Sequence, residues 1–239
     1  MPKTESNEII DFYQHKDIKK HLTKYHNPHF DDHQINVPFR LGIIGSSSAG
    51  KTQLLLNLIA KCSDTFAQIL VVYKTSEPLY QFLADKIGSK VITFYTRLGE
   101  LPQPNELDKT FKGKQILLVF DDQINEKDQE IIKEYSIRGR KICAGVSICY
   151  LSQSFFKIPK IVRQQFSYLM LLKLSSKRDL NLILSDFSLG VDRDELALLY
   201  KESTAQRFHF LKVSIDEPND NKKFSHNWTD FFQLSDADK

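Results

Sequence analysis

The sequence predicts an α/β fold: a mostly parallel central sheet flanked by helices, with a C-terminal antiparallel hairpin. Three observations carry this. Short apolar runs rich in β-branched and aromatic residues recur from residue 41 onward without alternating, as strands buried on both faces of a parallel sheet require. Helical patterns fall between several of them, the order that right-handed crossovers produce. The last run, at 207–215, does alternate and is followed by a turn signal.

The elements follow in order. Residues 1–36 are polar and charged and carry His15, His21, His26, His29 and His33. No Cys or acidic cluster completes a metal site with them, and Pro28 spoils the helical pairing of His29 with His33. The stretch reads as a solvated N-terminal arm ahead of one domain over 37–239. Strands are expected at 41–45, 68–73, 91–95, 115–120, 146–151 and 168–174. Helices are expected at 51–62, 77–87, 126–138, 159–166, 176–186 and 192–202. In RFHFLKVSI at 207–215, Phe208, Phe210, Val213 and Ile215 are mostly opposed by polar neighbours. DEPNDN at 216–221 turns the chain, and KKFSHNW returns as a partner strand at the sheet edge.

Composition bounds the function. Apolar residues make up 41%, with 17 Phe and 9 Tyr, enough to bury a core and to exclude a disordered chain. The balance of 33 basic against 30 acidic residues leaves +3, which demands no nucleic-acid partner by itself. Cys62, Cys143 and Cys149 form no metal spacing and read as reduced thiols in a cytosol-like compartment. The start lacks a signal peptide's apolar core, and no apolar run approaches the roughly 20 residues that span a bilayer, so a soluble intracellular protein is expected.

Gly45-Ser46-Ser47-Ser48-Ala49-Gly50-Lys51-Thr52 fits G-x-x-x-x-G-K-[ST] between an apolar strand and an amphipathic helix. Gly45 ends the strand in a tight turn, the small residues let backbone N–H groups wrap a phosphate, and Gly50 takes angles closed to other residues. Lys51 neutralises β/γ-phosphate charge, the Thr52 hydroxyl ligates Mg²⁺, and the helix presents its positive end to the anion. The motif points to ATP and Mg²⁺ and says little about what the energy drives.

The run ILLVF ends in Asp121-Asp122. Asp121 is assigned to Mg²⁺ through water, and Asp122 to orienting and deprotonating the attacking water. Glu77, just after the second strand, is a rival base. At least one apolar strand separates the cradle run from the Asp121 run, which suggests the class of P-loop proteins that includes RecA-like motors, by analogy of fold. VSICYL ends in Ser152-Gln153, and if that strand neighbours the Asp121 strand, Gln153 reaches the γ-phosphate or the water. Arg138, Arg140 and Arg163 are read either as helix-end charges or as fingers reaching a neighbouring subunit's nucleotide. Lys157, Lys160, Lys173, Lys177 and Arg178, interleaved with Phe155, Phe156 and Phe166, are read either as a solvated face over core aromatics or as a surface for a DNA backbone.

Taken together, residues 27–59, LLVFDD, SIRGRK and YLSQSFFKIPKIVRQQ resemble the genome-packaging ATPases of large DNA viruses and their virophages, a branch of the FtsK–HerA superfamily of DNA pumps. The resemblance implies a RecA-like core in a homo-oligomeric ring that drives double-stranded DNA into a capsid, with a capsid or vertex protein as partner. It implies a place in the host cytoplasm or viral factory, with possible virion association, and no membrane. It carries nucleotide binding onto Gly45–Thr52, Mg²⁺ onto Asp121, water activation onto Asp122, sensing onto Gln153, and the trans-acting role first onto Arg140. The superfamily usually has Glu where Asp122 stands. Competing readings are another DNA translocase or helicase-like pump, a nucleoside or small-molecule kinase, and a non-hydrolysing nucleotide-binding capsid protein.

Overall fold

The computed structural model describes residues 9–123, 126, 128–187 and 189–234. The strands are β1 (Arg40–Ile44), β2 (Gln68–Val72), β3 (Ile92–Tyr95), β4 (Ile116–Asp121), β5 (Val146–Ser152), β6 (Tyr168–Leu171), β7 (Leu211–Ser214), β8 (Phe224–His226) and β9 (Asp230–Phe231). They form one sheet in the order β3-β2-β4-β5-β1-β6-β7-β8-β9. Pairing is parallel from β3 to β6 and antiparallel from β6 to β9. Every residue of β1, β2, β4, β5 and β6 is buried, which is why those runs do not alternate in the sequence.

The helices are α1 (Lys16–Lys19), α2 (Phe30–His33), α3 (Lys51–Lys61), α4 (Pro78–Ile87), α5 (Pro104–Thr110), α6 (Glu130–Arg138), α7 (Lys160–Arg163), α8 (Lys177–Asp186) and α9 (Arg193–Ser203). Leu54, Leu55, Leu58 and Ile59 turn one face of α3 onto the sheet, with Ile43, Val71 and Leu151, and α4 adds Tyr80 and Leu83 to the same layer. The opposite layer sets Ile132 and Tyr135 of α6, Ile183 of α8 and Leu196 of α9 against Leu118, Phe120, Ile148 and Leu169. Chain chemistry sets the helix ends. Pro78 and Pro104 stand in first turns, the Ser176 and Asp192 side chains accept N–H groups of α8 and α9, and Gly88 closes α4 at φ 85°.

The expected strand separating the cradle strand from the Asp121 strand is present, but it is β5, which follows both in sequence. The strands that intervene along the chain, β2 and β3, extend the sheet beyond β4 instead. The helix expected at 126–138 begins at Glu130, and Lys127 lies outside the described residues, as do 1–8 of the arm and 235–239. The helix expected at 159–166 is the shorter α7. The run at 207–215 is a strand only from Leu211, and Lys212 in it is fully buried, its ammonium donating to the carbonyls of His33 (3.0 Å) and Trp228. β8 returns as the expected partner strand, and β9 lies beyond it.

The stretch expected as a solvated arm divides in two. Residues 11–25 are exposed, whereas His26 exchanges hydrogen bonds with the Gln115 amide and Ile35 and Val37 join the core beside α3. His33 is fully buried; burial pulls its pKa down to about 4 and holds it neutral. Its Nδ1 accepts the Ile35 N–H at 3.1 Å.

Arg40, at the start of β1, is 1% exposed. Its guanidinium donates to the carbonyls of Phe39, Tyr135, Ser136 and Val146, tying the end of α6 to β1 and β5. Burial lowers its pKa to about 9. Gly139 packs on it so closely that an added Cβ would lie 2.9 Å from Nη2, which accounts for glycine between Arg138 and Arg140. Arg40→Met leaves buried carbonyls without a donor and is expected to cost roughly 2–4 kcal/mol of unfolding free energy, read from urea unfolding. A loss under about 1 kcal/mol, on the scale of one ordinary hydrogen bond, would show that water replaces the guanidinium.

Candidate functional site

β1 delivers the chain to Gly45, whose N–H donates to Ser152 O of β5 at 3.1 Å. Ser46 N–H and Oγ both donate to Lys173 O, at 3.0 and 2.9 Å. The loop is thereby fixed to the carboxyl ends of both strands that flank β1. Glycine is required at its two ends. A Cβ on Gly45 would stand 2.8 Å from Leu172 Cβ, and Gly50 sits at φ 100° with a hypothetical Cβ only 2.3 Å from the Phe208 ring. Lys51 opens α3, and its ammonium curls into the loop, donating to Gly45 O (3.2 Å) and Ser46 O (3.1 Å). Burial lowers its pKa, against the charges of Asp121, Asp122 and Glu77.

Because β4 and β5 are parallel neighbours with Asp121 opposite Leu151, the acidic strand end and Gln153 emerge side by side. Asp121 is 8% exposed and accepts the Tyr80 hydroxyl at 2.5 Å. Burial raises its pKa to about 6, opposed by that hydrogen bond and by Lys51. Asp122 adopts φ 52°, a left-handed conformation that Asp tolerates better than most residues. Its N–H donates to Leu151 O, and its Oδ2 accepts Gln153 Nε2 at 3.3 Å. Its Oδ1 is buried with no hydrogen-bond partner. A buried acceptor left open in this way costs free energy and calls for an explanation, a catalytic role or a bound group among them.

Gly50, Lys51, Asp121, Asp122 and Gln153 line one cavity of about 510 Å³ with Ser47, Ser48, Thr52, Lys74 and Glu77. The cavity brings together most of the residues singled out from the sequence and adds Tyr80 behind Asp121, and Arg207 and Phe208 along one wall. Sequence reading missed all three additions. Tyr80 is one helical core aromatic among many, and Arg207-Phe208 stood in what read as a strand. Lys51, Lys74 and Arg207 face Glu77, Asp121 and Asp122, so the wall carries no net excess of positive charge for a polyanion.

The candidate arginines lie elsewhere within the subunit. Arg138 pairs with Glu134 at 3.2 Å, and the exposed Arg140 follows Gly139 at the amino ends of β1 and β5, opposite the cradle. Arg163 lies 3.9 Å from Asp186 and over the Phe155 ring. Of the interleaved aromatics, Phe155 and Phe166 are core, and only Phe156 is exposed, with the Arg178 guanidinium 3.8 Å above its ring. Lys157, Lys160, Lys173 and Lys177 are exposed. Among the described residues no helix is long and apolar enough to cross a membrane, and no group of three or more His, Cys, Asp or Glu side chains is placed to hold a metal.

The sequence profile of the family described as Poxvirus A32 protein matches residues 27–213. No curated protein sequence matches the chain. Among solved structures, the genome packaging NTPase B204 of Sulfolobus turreted icosahedral virus 2, bound to AMPPCP, is similar over 81% of this chain and 98% of its own, with TM-score 0.58 and 17% identity. The DNA-packaging ATPase B204 of Sulfolobus turreted icosahedral virus gives TM-score 0.56 and 16% identity over 81% of this chain and 98% of that one. The conjugation coupling protein TcpA of pCW3, solved with ATPγS, gives TM-score 0.53 and 14% identity over 83% of this chain and 62% of that one. At these identities the likeness is one of fold.

Proposed function

The chain belongs to the poxvirus A32 protein family, and on that footing we propose that it is an ATP-hydrolysing motor that drives double-stranded DNA into a viral capsid. The observation that carries the chemistry is the convergence of the Gly45–Thr52 cradle, the Asp121-Asp122 strand end and Gln153 on one cavity, with β5 set between β1 and β4. ATP lies with its phosphates in the loop at the amino end of α3, where backbone N–H groups and Lys51 meet their charge. The donor set fits Mg²⁺: the Thr52 hydroxyl and the Asp121 carboxylate are hard oxygen ligands, and a triphosphate beside three carboxylates requires a cation. When bound, the ion neutralises charge on the β- and γ-phosphates. Tyr80 orients Asp121 toward that place.

Asp122 holds the attacking water and takes its proton, and Gln153 fixes Asp122 while facing the γ-phosphate. Attack of the water oxygen on phosphorus yields ADP and phosphate. Arg140 lies too far around the sheet to serve its own cradle, so its role is in trans, with Arg138 and Arg163 as the other candidates. The working form is a homo-oligomeric ring in the host cytoplasm or viral factory, docked on a capsid or vertex protein. Membership in the family speaks for the motor over the kinase reading.

DNA follows the exposed cations Lys157, Lys160, Lys173, Lys177 and Arg178, several of them at the carboxyl ends of the strands beside the cradle. Phosphate release is expected to rise when double-stranded DNA is added. DNA affinity is expected to fall steeply with salt and to show little sequence preference. Replacing Lys157 and Lys177 with Ala reduces the slope of log affinity against log salt by roughly 1 per lysine. No stimulation by DNA, with phosphate passed instead to a nucleoside, would replace the motor with a kinase.

A further inference from the structure

The nucleotide cavity continues into a second one. Gln53, Arg207 and Phe208 line both. The second cavity, about 320 Å³, is completed by Leu54 and Asn57 of α3 and by His209, Phe210, Asn227 and Trp228. Phe208 stands at the junction. It is 44% exposed, its ring rests against Gly50, and the Arg207 guanidinium lies 4.5 Å from the ring centroid. Its φ of 70° is unusual for a bulky aromatic residue, and such conformations persist only where the surroundings over-determine them.

The surroundings do so here. Phe210 N–H donates to Asn227 Oδ1 at 3.2 Å, and Asn227 N–H returns to Phe210 O at 2.9 Å. The Asn227 amide nitrogen lies 3.1 Å from both His209 Nδ1 and His226 Nε2, and Phe210 packs edge-on against Trp228 at 5.2 Å. The entry to β7, doubly braced against the segment that follows β8, thus holds an exposed aromatic ring at the mouth of the phosphate loop.

Direction and chemistry agree on what it meets. A P-loop grips the α- and β-phosphates over the start of its helix, so the rest of the nucleotide leaves past the residue after the motif's hydroxyl, here Gln53. The second cavity lies on that side. Its wall combines the aromatic residues Phe208, Phe210 and Trp228 with the amides of Gln53, Asn57 and Asn227, the His209 imidazole and Arg207, and carries no carboxylate. A planar heteroaromatic ring with a polar rim fits such a wall, and the Arg207 guanidinium stands at the junction, on the side shared with the phosphate cavity. We propose that this cavity takes the nucleobase of the substrate nucleotide, stacked on Phe208, with the amides of Gln53 and Asn57 reading its edge. The proposal rests on the cradle's binding a nucleoside triphosphate and adds where, and by what, the nucleoside is held.

Two probes separate the halves: ATP, which has a base, and inorganic tripolyphosphate, which has none, each with Mg²⁺. Trp228 is the chain's single tryptophan and lines the cavity, so its emission reports on the base. ATP is expected to change Trp228 emission, whereas tripolyphosphate competes with ATP for the cradle without that change. Phe208→Ala should weaken ATP by about ten- to a hundredfold, the range of one base–aromatic stack, and leave tripolyphosphate within about twofold. Phe208→Tyr should restore ATP affinity. Asn57→Ala, on the exposed face of α3, tests the same cavity without touching the braced entry to β7, and should also weaken ATP selectively. Wild-type ATP affinity in both Phe208→Ala and Asn57→Ala overturns the proposal. So does equal weakening of both probes by Phe208→Ala, which would make Phe208 a support for the loop. If neither probe binds the unmodified protein, the phosphate-cradle reading itself fails and the base site falls with it.

Discussion

Lys51→Ala abolishes ATP turnover and weakens ATP binding, the largest loss expected from any single change in this chain. The Lys51 ammonium is half-buried and held inside the loop by Gly45 O and Ser46 O, so its charge already stands where the phosphates arrive. Removing it leaves the negative charge of the triphosphate facing Asp121, Asp122 and Glu77 with one cation fewer. Asp122→Asn separates binding from chemistry. The substitution is isosteric, so the strand end and its contact with Gln153 are expected to survive, but the carboxylate proposed to accept the water's proton is gone. ATP affinity should stay near that of the unmodified protein while steady-state hydrolysis falls by about 10²–10⁴. Asp122 is favoured over Glu77 by its unpartnered buried Oδ1 and by the Gln153 hydrogen bond that orients it. Near-normal turnover in Asp122→Asn, paired with a dead Glu77→Gln, would move the base to Glu77.

The parts of this site legible in the sequence are those that local chemistry dictates. Gly45 to Thr52 announces itself because a phosphate loop needs small residues, a left-handed glycine and a helix start in unbroken succession. Asp121-Asp122 and Gln153 stand out because each sits at the end of a run too apolar to be anything but a buried strand. What was not legible depends on contacts distant in the chain. Tyr80 meets Asp121 across 41 residues, and Phe208 meets Gly50 only because the segment leading into β7 folds back over the start of α3. Polar–apolar alternation misled at Lys212, whose stem and ammonium are enclosed because two backbone carbonyls are aimed at it from elsewhere in the chain. The same holds for His33: five histidines in a polar stretch read as solvated, and only the packing of residues 26–37 on α3 makes one of them core. α5 does carry a local signal, with Pro104 at the first position and the Glu106 carboxylate accepting the Gln103 N–H at 3.0 Å, but too few apolar residues to show a helical period.

An equal mixture of two inactive variants, Lys51→Ala and Arg140→Ala, regains part of the ATPase activity that neither shows alone. The structure places Arg140 in an exposed turn at the amino ends of the strands, while every cradle group lies at or beyond their carboxyl ends. Within one subunit the sheet separates them, so any charge Arg140 supplies to a leaving γ-phosphoryl group reaches a neighbour's nucleotide. Its planar, permanently charged fork suits phosphate oxygens, and a finger of this kind contributes about 10³–10⁵ in rate. Of the other two candidates, Arg138 is already engaged with Glu134 and Asn105, whereas Arg163 is packed on the Phe155 ring 3.9 Å from Asp186, with Nε and Nη1 making no hydrogen bond. In a mixed ring, some interfaces set an intact Lys51 cradle against an intact Arg140, and those interfaces turn over. The two sides of such an interface differ, so recovery would imply a head-to-tail assembly, as the proposed ring requires, rather than a two-fold dimer. Mixed assembly is verified by co-purification of differently tagged variants before turnover is measured. If the mixed rings stay inactive, Arg140 does not act across the interface. Recovery when Arg163→Ala takes the place of Arg140→Ala would give that role to Arg163 and leave Arg140 as a surface charge beside Arg40.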